Sequence, residues 1–337
     1  MKTFRLGLVL FSMGALGASP GVWAQDAIPG ETVPESSWKQ RRYVLEVWGG
    51  PATTAAADLN RLQSHDRRVQ QHLFDTHLEA LQNTGQIVSW EREQSGERPT
   101  IDASWSIGVR VKRRQNEFLA FSVGLQFLTA GGSNDVRAQY AREDYYGDVR
   151  IEDLTYSPYT LSAKAWAPLV GVHVGRPLGD KLRLEGFLVG GPLFADFEYV
   201  SDWSYAFSMR GPSMNGLVFE TAGGLDGRGE GTGLAAEVGL RFRFAVGGRL
   251  AFFAEGGYAY QRVTSPSGPG SQVRGGERVE WEGEWAITED TITAPWGSLD
   301  LERPTNDWPE GSTDGRRGDF ALDLSGFRLT LGVSFGI

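Results

Sequence analysis

No cysteine occurs among the 337 residues, so the chain forms no disulfide and cannot be lipidated through an N-terminal thiol. Histidine is scarce. The four are His65, His72, His77 and His173, and His72 and His77 stand five apart, not the four that put a zinc pair on one helical face. Beyond the N-terminal two dozen residues nothing nears the ~20 consecutive apolar residues of a membrane-spanning helix. Positive charge is also short, with 33 Lys and Arg against 42 Asp and Glu, a formal net charge of −9. That balance argues against a nucleic-acid partner.

The N-terminus reads as an export leader. Lys2 and Arg5 precede an apolar run from Leu6 to Leu16, and Val22-Trp23-Ala24 forms a cleavage site of the small-x-small type. Residues 1–24 are expected to be removed, which takes the formal charge to −11, and 25–41 to form a periplasmic lead-in. The rest, 42–337, is rich in what a β-barrel needs, with Gly 45, Phe 18, Trp 11 and Tyr 10.

Eight stretches alternate apolar and polar residues with the period of a strand. They fall at about 42–50, 101–113, 117–128, 160–175, from 181 onward, 233–245, 249–262, and at the C-terminus. In the third, Leu119, Phe121, Val123, Leu125 and Phe127 oppose Ala120, Ser122, Gly124 and Gln126. The connections alternate in length. Those near 114–117, 176–180 and 246–248 are tight hairpins, whereas about 51–100, 129–159, 196–232 and 263–319 run for tens of residues. Short turns on one rim and long loops on the other are the habit of membrane barrels. Pro168 and Pro192 each remove a ladder donor, and Gly190-Gly191-Pro192 reads as a bulge that absorbs one of them. Within 51–100 an amphipathic helix is expected over 55–82, packed on the barrel rim or on another loop in preference to serving as a partner-binding or membrane-surface helix.

Alternation alone does not say which face is inside. The mixed face carries Glu46, Arg110, Arg183, Glu185, Glu237, Arg241, Glu255 and Arg328 among glycines, which suits a narrow interior where a large side chain needs a gap opposite. The apolar face gathers aromatics at its ends, Tyr43, Phe244 and Phe335 toward the tight turns and Trp105, Phe127, Tyr258 and Tyr260 toward the long loops, like two interfacial girdles. The apolar face is therefore expected outward. The eight charges are then expected to pair into a network that plugs the lumen, since an isolated buried ion is costly. Arg243 is a further candidate partner for these carboxylates, and a hydrated side chain at the rim is the alternative for each charge, most of all for Lys112 and Arg243, close to the tight turns. Trp281, Trp285, Trp296 and Trp308 in the last long connection are expected to pack on strands that continue beyond the membrane.

Catalytic chemistry is thin. Ser162 and His173 lie too far apart on one strand to bond, and no catalytic, cofactor or metal site is expected. At the C-terminus Phe327, Leu329, Leu331, Val333, Phe335 and Ile337 alternate with small or polar residues. Thr330, Gly332, Phe335 and Ile337 fill the places of the assembly signal that ends bacterial outer-membrane barrels, with Ile337 where Phe or Trp is usual. On these residues the chain resembles the small outer-membrane β-barrel family of Gram-negative bacteria, which includes the barrels of OmpA, OmpX and OmpW. The resemblance implies an all-β, eight-stranded antiparallel up-and-down transmembrane barrel, seated in outer-membrane lipid by the barrel-assembly machinery. It does not imply one activity. The expected role is non-enzymatic: a plugged, porin-like cylinder presenting external loops for structural or interaction purposes. The alternative is an OmpW-like passage for a small hydrophobic ligand, with Trp48, Leu169, Phe187 and Val189 lining its upper part. A lipid-modifying enzyme is a further alternative.

Overall fold

The computed structural model describes residues 42–56, 58–61, 87–95, 101–144, 150–210, 215–247, 249–274, 277–294, 297–305 and 316–337. The leader, the lead-in and most of the expected helix lie outside these; of the helix, only a turn over 58–61 is described.

Eight strands close a cylinder: β1 (Tyr43–Thr53), β3 (Ala103–Arg114), β4 (Leu119–Asp144), β5 (Arg150–Pro177), β6 (Leu182–Arg210), β7 (Asn215–Ala245), β8 (Leu250–Thr264) and β15 (Gly326–Gly336). Each pairs antiparallel with the next in the chain, and β15 joins β8 to β1, with Phe335 opposite both Leu250 and Leu45. No sheet edge is left within that ring, which is the condition for a barrel to stand in hydrocarbon.

The side chains obey one rule around the circumference. Val123, Leu331, Val238 and Trp105 are 65%, 67%, 56% and 56% exposed, while Glu46, Arg110 and Arg241 are 0%, 5% and 0% exposed. Apolar residues point out and ions point in, the reverse of a soluble barrel with an apolar interior. The expected aromatics Trp105, Phe127, Tyr258, Tyr260, Phe244 and Phe335 all face outward.

The tight turns occur where expected. In the first, Asn116 Oδ1 accepts the backbone N–H groups of Phe118 and Leu119, both at 2.8 Å. The second uses Gly179 at φ 150°, a region that side-chain-bearing residues avoid.

The opposite rim corrects the loop expectations. Segments 129–159 and 196–232 are mostly strand: β4 and β5 stay paired out to Glu143 and Arg150, and β6 and β7 out to Arg210 and Asn215. β6 alone has 29 residues, against the ~9–11 that cross a bilayer. From 51–100 comes β2 (Ile87–Ser95), which adds to β4. Segment 263–319 folds into β9 (Ser267–Arg274) on β7, β10 (Glu277–Glu284) on β9, and a separate sheet of β11 (Ala286–Ala294), β12 (Gly297–Thr305) and β13 (Arg316–Asp319). β14 (Ala321–Asp323) pairs with β8. A strand with no wholly apolar face shows no two-residue rhythm, so the periodicity that reveals the barrel wall fades along these extensions.

The prolines give a second correction. Trp166 pairs with Phe194 and Val170 with Gly190 in one unbroken register, so there is no bulge between them. Pro168 and Pro192 fall opposite each other, and the ladder is interrupted over the three residues around them. Two missing N–H donors facing each other at a hydrogen-bonded position remove both bonds of that pair at once. The strands still touch: a Cβ on Gly191 would meet the Pro168 carbonyl oxygen at 1.9 Å. Outside the seam, Trp166 stacks on Phe194 with ring centres 4.2 Å apart.

Candidate functional site: the filled lumen

The lumen has two layers of opposite character. Nearer the tight turns lies a network of ions. Arg110 donates from Nε to Glu46 Oε2 and from Nη2 to Glu255 Oε2, both at 2.6 Å. Arg241 donates from Nη1 to Glu46 Oε2 at 2.9 Å and from Nε to Glu255 Oε2 at 2.8 Å, and its Nη2 also reaches Glu255. Arg183 Nε donates to Glu185 Oε1 at 2.8 Å. One level toward the outer rim, Arg328 Nη1 donates to Glu237 Oε2 at 3.2 Å, and Gln126 and Gln261 continue the chain of bonds. All eight residues singled out in the sequence meet in these pairs.

Lys112 departs from the rim alternative. It is 1% exposed, not a hydrated rim residue, and its Nζ donates to Glu185 Oε2 at 2.5 Å with Glu46 Oε1 at 3.5 Å. Arg243 is likewise buried. Alternation put Lys112 on the inner face, but distance from the turn misjudged its depth. The long stem carries its ammonium inward along the lumen.

The arginines also lie over aromatic faces. The Arg110 guanidinium is 4.3 Å from the Trp48 ring centre, and that of Arg241 is 4.6 Å from Phe253. These rings occupy the gaps that glycines leave: a Cβ on Gly108 would meet Trp48 at 2.2 Å, and one on Gly332 would meet Phe253 at 2.3 Å. The glycines of the inner face thus make room for aromatics at least as much as for ions. A guanidinium between carboxylates and ring faces has its charge balanced on every side, which a low-dielectric interior requires.

Toward the long rim the lumen is apolar. Leu161, Leu169, Phe187, Val189, Leu193, Phe197 and Val263 point inward from the wall. Segments from outside the ring fill the space between them. Ala56, Leu59, Ile101, Trp285, Phe320, Leu322 and Leu324 join the same buried cluster. Phe197 meets Trp285 edge to face at 5.1 Å and Phe320 at 5.3 Å. Backbone bonds tie the filling together: Ala56 N–H to Asp323 O at 2.7 Å, Ala55 N–H to Ser325 O at 3.0 Å, and Ala321 N–H to the Asp58 carboxylate at 3.0 Å. Ala56 adopts φ 31°, a left-handed backbone that a side chain disfavours by roughly 1–2 kcal/mol. Trp48, Leu169, Phe187 and Val189, expected to line an upper passage, are all buried in packed surroundings. Trp285 is the inward tryptophan of the last connection; Trp281 lies on β10, and Trp296 and Trp308 fall outside the described residues.

Of the histidines only His173 is described. Its Nε2 bonds Ser122 Oγ at 2.8 Å across β4 and β5, a partner that spacing along one strand does not reveal. Among the described residues its buried Nδ1 has no hydrogen-bond partner. Among the described residues no group of three or more His, Asp or Glu side chains is arranged to hold a metal. Of the residues expected as a C-terminal signal, Thr330 faces the lumen, Gly332 makes room for Phe253, and Phe335 and Ile337 point outward.

No protein-family model and no curated protein matches the chain. Among solved structures it is similar to the outer membrane protein OprG from Pseudomonas aeruginosa, at 11% identity over 88% of this chain and 98% of that one, with a TM-score of 0.29. It is also similar to the outer membrane protease OmpT from Escherichia coli, at 9% identity over 89% and 97%, with a TM-score of 0.24. The architecture rests on the strand register of this chain and not on these likenesses.

Proposed function

We propose that the chain is an integral outer-membrane barrel with a lumen closed to solutes, which anchors a strand-built extension on the external side for structural or interaction purposes. One observation carries the reading: the outer wall is apolar around the whole circumference while the ions are inside. A soluble monomer seldom exposes an apolar patch beyond a few hundred Å². In lipid the same surface is matched to its surroundings, and the aromatic girdles sit where headgroups begin.

Closure follows from the two layers. The ion network crosses the lumen by direct contacts, and the apolar cluster fills the space above it. A small hydrophobic ligand would have to displace Trp285 and Phe320, so the OmpW-like passage is the less supported reading. Delivery by the barrel-assembly machinery through the C-terminal signal belongs to the same proposal, as does the absence of enzymatic activity.

Two measurements test it. Detergent-folded protein should migrate faster on an unheated gel than after boiling, and single molecules in a planar bilayer should pass no steady current. A mature chain that stays folded and monomeric without detergent would overturn the membrane reading. A large, stable open-channel current would overturn the closed lumen.

A further inference from the structure

The two rims of the barrel treat charge differently. On the outer face of the long rim opposite charges meet: Arg228 pairs with Glu198 at 2.6 Å, and Lys164 stands directly opposite Asp196. The short-turn rim carries mostly one sign. Among the described residues its exposed or half-buried cations are Arg42, Arg113, Arg176, Lys181 and Arg249, against the acids Glu117 and Asp180. With both acids engaged, cations remain over. They are spread round the circumference. The Arg42 carbonyl accepts the Arg114 N–H at 2.8 Å beside the first turn. Arg176 is the last residue but one of β5, and Lys181 and Arg249 lie in the second and third turns.

Arg113 gives the depth of this collar. It continues the outward series Trp105, Ile107, Val109 and Val111 of β3, so its side chain leaves the wall on the lipid side. Across the ladder its direct neighbours are Tyr43 on β1 and Phe121 on β4. Its Nε is buried without a hydrogen-bond partner. Arginine on the lipid face is costly at mid-bilayer and cheap at the interface, where aromatic residues also gather. At that level the acceptors on offer are headgroup oxygens, and a phosphate matches the forked donors of a guanidinium. The ammonium of a zwitterionic headgroup is repelled by the same collar, whereas a net negative headgroup is drawn to each basic residue near it. With the barrel seated in the outer membrane as read above, we propose that Arg42, Arg113, Arg176, Lys181 and Arg249 gather anionic phospholipid around the short-turn rim. Arg113 binds a headgroup phosphate directly.

The test folds the full mature chain into vesicles of phosphatidylcholine and phosphatidylglycerol in equal amounts, and counts the lipids it retains by native mass spectrometry in a mild nonionic detergent. The wild type should keep phosphatidylglycerol over phosphatidylcholine by about fivefold, the preference that one basic residue at a charged surface supplies. Arg113→Gln should reduce that ratio, and Arg113→Lys should keep most of it. A variant combining Arg42→Gln, Arg113→Gln, Arg176→Gln, Lys181→Gln and Arg249→Gln should bring it to unity. If the combined variant does not fold, Arg113→Gln decides alone. Unheated gels of the same vesicles separate this proposal from the one it rests on. A wild type that does not fold into them overturns the membrane reading and the collar with it. A folded wild type that retains the two lipids equally overturns the collar alone, as does a ratio that is the same in the wild type and every variant. A ratio lost in the combined variant and untouched in Arg113→Gln keeps the collar and removes the direct role of Arg113.

Discussion

Arg241 has no exposed surface, yet it touches three carboxylates, Glu46, Glu185 and Glu255, from three different strands. Removing one partner of such a cluster leaves the others charged and unsolvated, which typically costs about 3–5 kcal/mol. Arg241→Ala should therefore lower the denaturant stability of the lipid-reconstituted barrel by that amount. Arg241→Lys should recover only part of it, because one ammonium cannot fork between two carboxylates. Equal stability of wild type and Arg241→Ala would mean that the network is no brace. Outside the membrane belt, burial pushes the Asp226 carboxyl up, and the neighbouring Asp202 adds to it, against the opposing pull of Arg278 and Arg228. A carboxylate raised in the folded state takes up its proton more readily there than in the unfolded chain. Asp226 therefore favours folding more once protonated, and its penalty reappears as pH rises through the raised value. Resistance of the β6–β7 extension to protease should accordingly gain from acidification across that window, and the gain should shrink in Asp226→Asn.

At the scale of the element, the β5–β6 seam is the weak place in the wall. Pro168 and Pro192 together forgo two ladder bonds, each worth about 0.5–1.5 kcal/mol net in ordinary settings. The double change Pro168→Val with Pro192→Val should stabilise the barrel by about 1–3 kcal/mol in urea titrations from liposomes. A loss of stability would show that the seam's backbone is not strand-like. Gly191→Ala should act the other way, since its Cβ would strike the Pro168 carbonyl, an atom of the backbone that has no rotamer to escape into. The strands themselves were legible where lipid imposes a two-residue rhythm, as in Leu119, Phe121, Val123, Leu125 and Phe127. Beyond Leu128 and Ala195 the same strands carry no such rhythm, because polar and glycine-rich residues serve equally well in a sheet that faces water on one side. Lys112 departs from the rim for a different reason: strand position sets where a Cα lies, while a four-carbon stem decides where its charge ends up.

At the scale of the whole molecule, the decisive property is the direction of the polarity. Val123 and Leu331 both face outward, at 65% and 67% exposure. Val123→Arg at the middle of the wall should cost about 2–4 kcal/mol in lipid and hinder insertion, as arginine does on the lipid face of such barrels. A soluble barrel would accept arginine on its exterior with little effect, so an unchanged folding yield in liposomes would refute the orientation. The filled mouth makes a separate point about closure. Phe320→Ala and Trp285→Ala should loosen the upper layer without producing a current, because the ion network still crosses the lumen beneath it.

What the amino-acid order determined alone was the lipid-facing half of the problem: eight periodic strands, their tight turns, the inward set of ions, and the tryptophan and tyrosine girdles. Hydrocarbon acts on every second residue of a short segment, so its demands are written locally. The tertiary structure alone decided which acid meets which base, that Ser122 is the partner of His173, that the two prolines share one seam, and that 54–56, 58–61 and 320–325 come back to stop the mouth. Those outcomes depend on the shear of a closed cylinder, which sets side chains from β1, β3, β6, β7 and β8 at one height although their sequence separations share no common interval.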